Sequence, residues 1–248
     1  MGSFPKIVAA ALSLLIGASA AAQNDLPTIR LTSLEWPPYA GASLAKGGDT
    51  TAVVRSALLA MGYQLEVAFF PWQRAIALAQ RPSRYAGYFP EYYSEDVARR
   101  CLLSDPVGSG PVGFAQLRAQ PVNWRTLEDL VPFRIGVVQS YVNSTDFDLR
   151  VAQQKQTVDV ARDDTQNLRK LAAGRIDLAV VDQRVFHFLM QNEPQLQPYR
   201  QMLSFNARPL DIKQLYICFR PDAEGTQLRG LVNAGLKKIN AGTAEPVR

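Results

Sequence analysis

Ile29-Arg-Leu-Thr-Ser-Leu-Glu-Trp-Pro-Pro-Tyr39 reads as a buried strand that runs directly into a Trp-Pro-Pro-Tyr turn. Pro37 and Pro38 cannot donate to a strand ladder and they fix the backbone, which holds Trp36 and Tyr39 at the strand's C-terminal edge. In open α/β sheets that edge is where ligands bind. Outward from it, short β-like runs alternate with amphipathic helices. Gly47-Gly48-Asp49 supplies a turn and an N-cap, and Asp49 to Met61 carries Val53, Ala57, Leu58 and Met61 at helical spacing before Gly62 closes it. Leu65 to Phe70 reads as a strand, Trp72 to Gln80 as a helix started by Pro71, and Tyr85 to Phe89 as a third strand. This βαβαβ order predicts a parallel sheet with helices on its faces.

A second unit of the same kind follows, with a short helix at Thr126 to Leu130 and strands at Phe133 to Val138 and Leu178 to Val181. Its helices are expected at Asp146 to Gln154, Thr165 to Ala173 and Gln183 to Met190. Between the units lies Ser104-Asp-Pro-Val-Gly-Ser-Gly-Pro-Val-Gly113, whose Gly and Pro content reads as a hinge rather than a plain strand. Gln214 to Phe219 is a further strand and Gln227 to Asn240 a closing helix that can return to the first unit.

The first 22 of the 248 residues read as a secretory leader: Lys6, the apolar run Ile7 to Ile16, then Ala20-Ala21-Ala22 before Gln23. The expected product is exported to the periplasm. The chain has 27 basic and 22 acidic residues; without Lys6 the remainder is 26 against 22, a net +4. These charges are scattered, which argues against nucleic acid as a partner. No Cys/His cluster has metal-ligand spacing, the one histidine, His187, reads as a packing residue, and no cofactor is called for. Trp124 also reads as packing, Asp163-Asp164 as helix capping and Asp177 as structural. The two cysteines, Cys101 and Cys218, are open to either reading, a disulfide or two inert thiols. Nothing resembles a coiled coil or a large apolar stripe, so a monomer is expected.

Seven short markers, in order, are the strand with its Pro-Pro-aromatic end, Gly48-Asp49, Leu103-Ser-Asp-Pro106, Leu127-Glu-Asp-Leu130, Ile135-Gly-Val-Val-Gln139, Leu171-Ala-Ala-Gly-Arg-Ile-Asp177 and Val180-Val-Asp182. With these the chain resembles the extracellular solute-binding proteins of family 3, the periplasmic receptors of polar amino-acid ABC transporters. The resemblance implies a type II periplasmic-binding-protein fold: two α/β lobes, each a mostly parallel sheet flanked by helices, with a hinge between. The first lobe would take residues 27–109 and 215–248, and the second 111–213. It also sets the strands of Cys101 and Cys218 side by side, which makes a disulfide feasible. An ABC permease in the inner membrane would be the partner.

The resemblance carries Trp36 over as the aromatic that stacks on the ligand and Trp72 as a second wall. Phe89, Pro90 and Tyr92 fall where the family offers hydroxyl and backbone groups. Gln139, Ser140 and Tyr141 fall on a turn whose amides would greet an anion, and Asp182 matches the acid that pairs with a ligand ammonium. One position departs. The family's carboxylate-binding Arg stands seven residues before the serine matched here by Ser104, and that position is Val97. Losing a charge-assisted Arg contact costs roughly 1.5–3 kcal/mol. Arg74 is the substitute expected from its helix start. With Tyr88, Phe89, Tyr92 and Tyr93 in place of small residues, the cleft should be ring-lined. It suits a flat or cyclic ligand, or a cation stacked on the rings with Glu35, Glu91 or Asp182 nearby. Capture of a small polar solute is the expected function. An enzyme on the same scaffold, of the cyclic-acid dehydratase kind, and a sensory or accessory binding protein are the alternatives.

Overall fold

Strand β1 (Thr28–Ser33) pairs in parallel with β2 (Gln64–Phe69) on one side and β3 (Gly87–Tyr92) on the other, the parallel wing that βαβαβ order predicts. The computed structural model describes residues 1–2 and 26–243, with side chains through residue 240. The expected leader, apart from its first two residues, lies outside the described residues. Between the strands run α1 (Asp49–Leu59) and α2 (Trp72–Gln80). Helix α2 turns Trp72, Ala75, Ile76 and Ala79 inward, the apolar strip its spacing calls for. After β3 come a short helix, α3 (Glu95–Arg100), and the two-residue strand β4 (Leu102–Leu103). Glu95 and Asp96 in the first turn of α3, and Arg99 and Arg100 in the last, complement its dipole, and the Ser94 side chain accepts from the Val97 amide.

The second wing is built from β6 (Ile135–Val138), α4 (Thr145–Ala152), β7 (Val158–Ala161), α5 (Asp164–Ala172), β8 (Leu178–Asp182) and α6 (Gln183–Asn192). Here β6 pairs in parallel with β7 and β8. Two long strands join the wings, β5 (Gly108–Leu117) and β10 (Asp211–Phe219), with the short β9 (Leu203–Phe205) paired to β5. The strand order is β2-β1-β3-β10-β5-β8-β6-β7, with each neighbouring pair from β3 through β10 and β5 to β8 antiparallel. The closing helix α7 (Ala223–Thr243) returns to the first wing, where Lys238 Nζ donates to the Ala60 carbonyl of the α1 end at 3.3 Å.

The Gly/Pro-rich stretch expected as a hinge is therefore largely strand. Gly108 to Val112 pair with β10, and Val112 to Gln116 pair with β8, so β5 changes partner at Val112. Glycine also allows close approach here: a Cβ at Gly110 would sit 2.0 Å from the Tyr39 hydroxyl and 2.2 Å from Asp182 Oδ2. The N-terminus of α1 is likewise capped without a side chain. Pro38 and Tyr39 carbonyls accept the Asp49 and Thr50 amides at 2.9 Å, and Gly48 (φ 100°) lets the turn come that close.

Cys101, at the end of α3, and Cys218, on β10, form a disulfide with Cα atoms 5.5 Å apart. Of the two readings open from composition, the bridge is the one realised. No helix of the described residues is long and apolar enough to cross a membrane.

Candidate functional site

The Trp-Pro-Pro-Tyr turn closes on itself. Trp36 N donates to the Ala40 carbonyl at 2.8 Å, and Tyr39 N to the Trp36 carbonyl at 3.0 Å. This stacks the Trp36 and Tyr39 rings with centroids 4.7 Å apart and aims both toward the second wing. Trp36 Nε1 donates to Asp164 Oδ2, the first residue of α5, at 3.1 Å. The Tyr39 hydroxyl donates to Asp182 at 3.1 Å, through the gap that Gly110 leaves. Tyr92, at the end of β3, donates to the same carboxylate at 3.0 Å. Asp182 also caps α6 by accepting the Arg184 and Val185 amides at 2.8 and 3.1 Å. It is thus both the helix cap and the point where two tyrosines from the first wing are pinned.

Trp36, Trp72, Tyr92 and Tyr141 converge on a compartment completed by Leu34, Pro90, Val142 and Glu91. Tyr92 and Tyr141 meet Trp36 edge-on at 5.7 and 6.2 Å, and Tyr141 meets Trp72 at 6.4 Å. The space enclosed is about 20 Å³, little more than one water requires. Trp72 Nε1 donates to the Ser140 carbonyl at 3.2 Å, and Gln73 Nε2 to Ser140 Oγ at 3.2 Å, which draws the Ser140 turn against α2.

Glu91 is the one charged residue lining this compartment. It is 3% exposed, and burial pushes its carboxyl up to about 7. The Tyr88 hydroxyl, donating at 3.0 Å, and the Tyr92 amide, at 2.9 Å, restrain that rise. Arg100, 3.7 Å away and half-exposed, pulls the same way, less than the Tyr88 hydroxyl but more than the Tyr92 amide, and Lys213 adds least. Asp164 is 6% exposed, and burial raises it to about 7 against the donation from Trp36 and Tyr141. Burial also raises Asp182, against its amide and tyrosine donors. Tyr39, Tyr88, Tyr92 and Tyr141 are all pushed up, chiefly by burial, so they stay protonated donors.

The other residues singled out from the sequence fall in different places. Phe89 is wholly buried and offers only its carbonyl, which accepts from Ser33 Oγ at 2.7 Å. Arg74 is exposed, its guanidinium 5.2 Å above the Phe70 ring, outside the compartment lining. Gln139 is exposed and its amide donates to the Ala161 carbonyl. The Tyr141 amide donates to the Val138 carbonyl, and α4 begins only at Thr145, so the Gln139 and Tyr141 amides already have backbone partners and do not open a helix. Val97 is buried in the core. Asp163 caps α5 through the Gln166 amide, as its position suggests, whereas Asp164, read with it as capping, is a cleft residue. Adjacent carboxylates at a helix start hide that difference, because only the burial of one reveals it.

Among solved structures with this architecture, a histidine kinase sensor domain with similarity to periplasmic binding proteins aligns at TM-score 0.75 and 19% identity, over 89% of this chain and 93% of that one. An ancestral arginine-binding protein bound to arginine aligns at TM-score 0.70 and 17% identity, over 88% and 95%. The fold is that of the two-lobed periplasmic binding proteins. An ancestral amino-acid-binding protein, described as a precursor of cyclohexadienyl dehydratase, shares the periplasmic-binding-protein fold at TM-score 0.67 and 14% identity, over 87% and 90%. No protein-family model matches the chain, and no curated protein is significantly similar to it. Identities this low establish the fold alone.

Proposed function

We propose that this protein is a solute-binding protein that closes its two lobes, residues 27–109 with 215–243 and residues 111–213, on a small organic cation. The observation that carries this reading is Glu91, a lone buried carboxylate in a compartment walled by Trp36, Trp72, Tyr92 and Tyr141. An ammonium over an aromatic face gains about 0.5–2 kcal/mol per desolvated contact, and a hydrogen bond to a carboxylate adds about 1.5–3 kcal/mol. No basic side chain lines the compartment, so a ligand α-carboxylate would find no partner there. Val97 in the core accords with that. Asp164 and Asp182 add negative potential at the same interface, and both are held by donors from the first wing.

Because the compartment is water-sized, entry of even a small ammonium requires the Trp36–Asp164 and Trp72–Ser140 bonds to part. Opening about the β5–β10 pair would supply the space, and re-closure would exclude water from the charge. The disulfide supports an oxidising, extracytoplasmic setting, in keeping with the expected leader and delivery to an ABC permease. Isothermal titration at pH 8 with ethylammonium, tetramethylammonium, the amino acids and cyclic carboxylic acids tests the reading. Binding of the simple ammonium ions supports it. Binding confined to amino acids or to carboxylic acids would overturn it.

The raised Glu91 carboxyl favours one second reading, a general acid acting on a bound substrate. Turnover of a cyclic hydroxy acid that is lost in Glu91→Gln would establish it.

A further inference from the structure

We infer that the cation taken by this cleft carries an elongated apolar tail, which runs out of the ring-lined compartment over Phe69, Phe70 and Pro71. The inference rests on the ammonium reading of the Glu91 compartment and specifies the rest of the ligand. Beside the compartment of about 20 Å³ lies a vestibule of about 530 Å³. The two share Leu34, Trp72 and Tyr141 as common walls, so the vestibule adjoins the compartment and is joined to it when the Trp72–Ser140 contact parts. Ligand sites for small molecules occupy roughly 300–1,000 Å³, a range the vestibule meets and the inner compartment alone does not.

The vestibule contains three charged residues, and each is already engaged. Arg162 Nε pairs with Asp163 Oδ2 at 3.0 Å, and Asp163 Oδ1 accepts the Gln166 amide at 2.7 Å. The Glu35 carboxylate accepts the Ala42 amide at 3.1 and 3.3 Å. A second ammonium at the far end of a diamine would meet only these exposed or half-exposed carboxylates, where a further ion pair is screened by solvent and worth little against the cost of carrying the charge along an apolar wall. What remains open is hydrocarbon: Leu34, Phe69, Phe70, Pro71, Trp72 and Tyr141. Phe69 and Phe70 are only half-buried. Phe70 is held by the Arg74 guanidinium above its ring and by Tyr85 edge-on at 6.0 Å. This gives Arg74 a role the sequence did not suggest, as a brace for a vestibule wall rather than a clamp on a ligand carboxylate.

The test is a titration series on the unmodified protein with straight-chain primary alkylammonium ions from two to eight carbons, with phenethylammonium and 1,6-diaminohexane alongside. Each buried methylene is expected to tighten Kd about three- to fourfold until the vestibule is filled. Hexylammonium should bind at least tenfold more tightly than 1,6-diaminohexane. Phe70→Ala should flatten the chain-length slope. A flat series, with ethyl and octyl ions bound equally, would overturn the tail inference and leave the ammonium reading intact. So would a diamine that binds more tightly than the monoamine. Failure of every amine to bind would overturn the ammonium reading itself. The chain-length series decides the question even if the Phe70 variant does not fold.

Discussion

Replacement of Glu91 by Gln should make the protein more stable at pH 8 and less able to hold a cation. Glu91 is ionised at that pH, yet buried with a carboxyl raised to about 7 from an ordinary value of 4.5. The folded state therefore binds this proton more tightly than the unfolded chain does, so stability falls as pH rises from the unfolded value through the folded one. At 1.36 kcal/mol for each tenfold change, the loss between about pH 4.5 and pH 7 is on the order of 3 kcal/mol. Gln removes the charge and keeps the shape. One amide oxygen can still accept the Tyr92 N–H, and the Tyr88 hydroxyl can turn to accept from the new NH₂. The Arg100 attraction is already contained in the raised carboxyl, so the net gain at pH 8 is about 3 kcal/mol, or roughly 6–12 °C in midpoint for a chain of this length. At pH 5 both proteins are neutral at this position when folded, and the difference should be small. Asp164 titrates in both proteins and cancels. Urea denaturation of the two proteins at pH 5 and pH 8, with ethylammonium titration at pH 8, is the assay. A lower midpoint for Glu91→Gln at pH 8, or the same gain at both pH values, would refute the argument. So would unchanged cation affinity, where a loss of about 10- to 100-fold is expected.

Asp182→Ala strands the Tyr39 and Tyr92 hydroxyls and the first amides of α6, and should cost about 3–5 kcal/mol, read from the urea midpoint. Trp36→Phe removes one of the two side-chain donors to Asp164, so its carboxyl should titrate above about 7, seen by carbon-13 NMR of labelled aspartate. Gly110→Ala drives a methyl group into the Tyr39–Asp182 contact and should lower the thermal midpoint and disturb tyrosine near-UV circular dichroism. The double replacement of Cys101 and Cys218 by Ser frees a loop of 117 residues and should cost about 4–5 kcal/mol.

How much of this was legible in the chain depends on how local each signal is. Helix α2 has the bounds its spacing predicts, because Pro71 marks the start and Trp72, Ala75, Ile76 and Ala79 make a single strip. Helix α3 was missed because six residues are too few for a period to show, and β7 because a four-residue strand with Val160 exposed has little apolar contrast. The first half of β5 was not legible as strand because glycine marks close approach and turns alike, and only the neighbours Tyr39 and Asp182 tell them apart. Trp36, Trp72, Tyr92, Tyr141 and Asp182 were all within view and do gather at one interface. Glu91 could not be singled out, since every residue of β3 is buried and alternation gives no contrast there.

The bridge between Cys101 and Cys218 encloses almost everything from β4 through most of β10, and so the whole of the second wing. That wing is a closed covalent ring mounted on the first, entered and left through neighbouring points of the same sheet. A single cut by a protease anywhere within the ring leaves both fragments attached. Local unfolding of the far wing likewise cannot separate its two ends, so β10 and the segment leading into β5 stay in place as a template for its return.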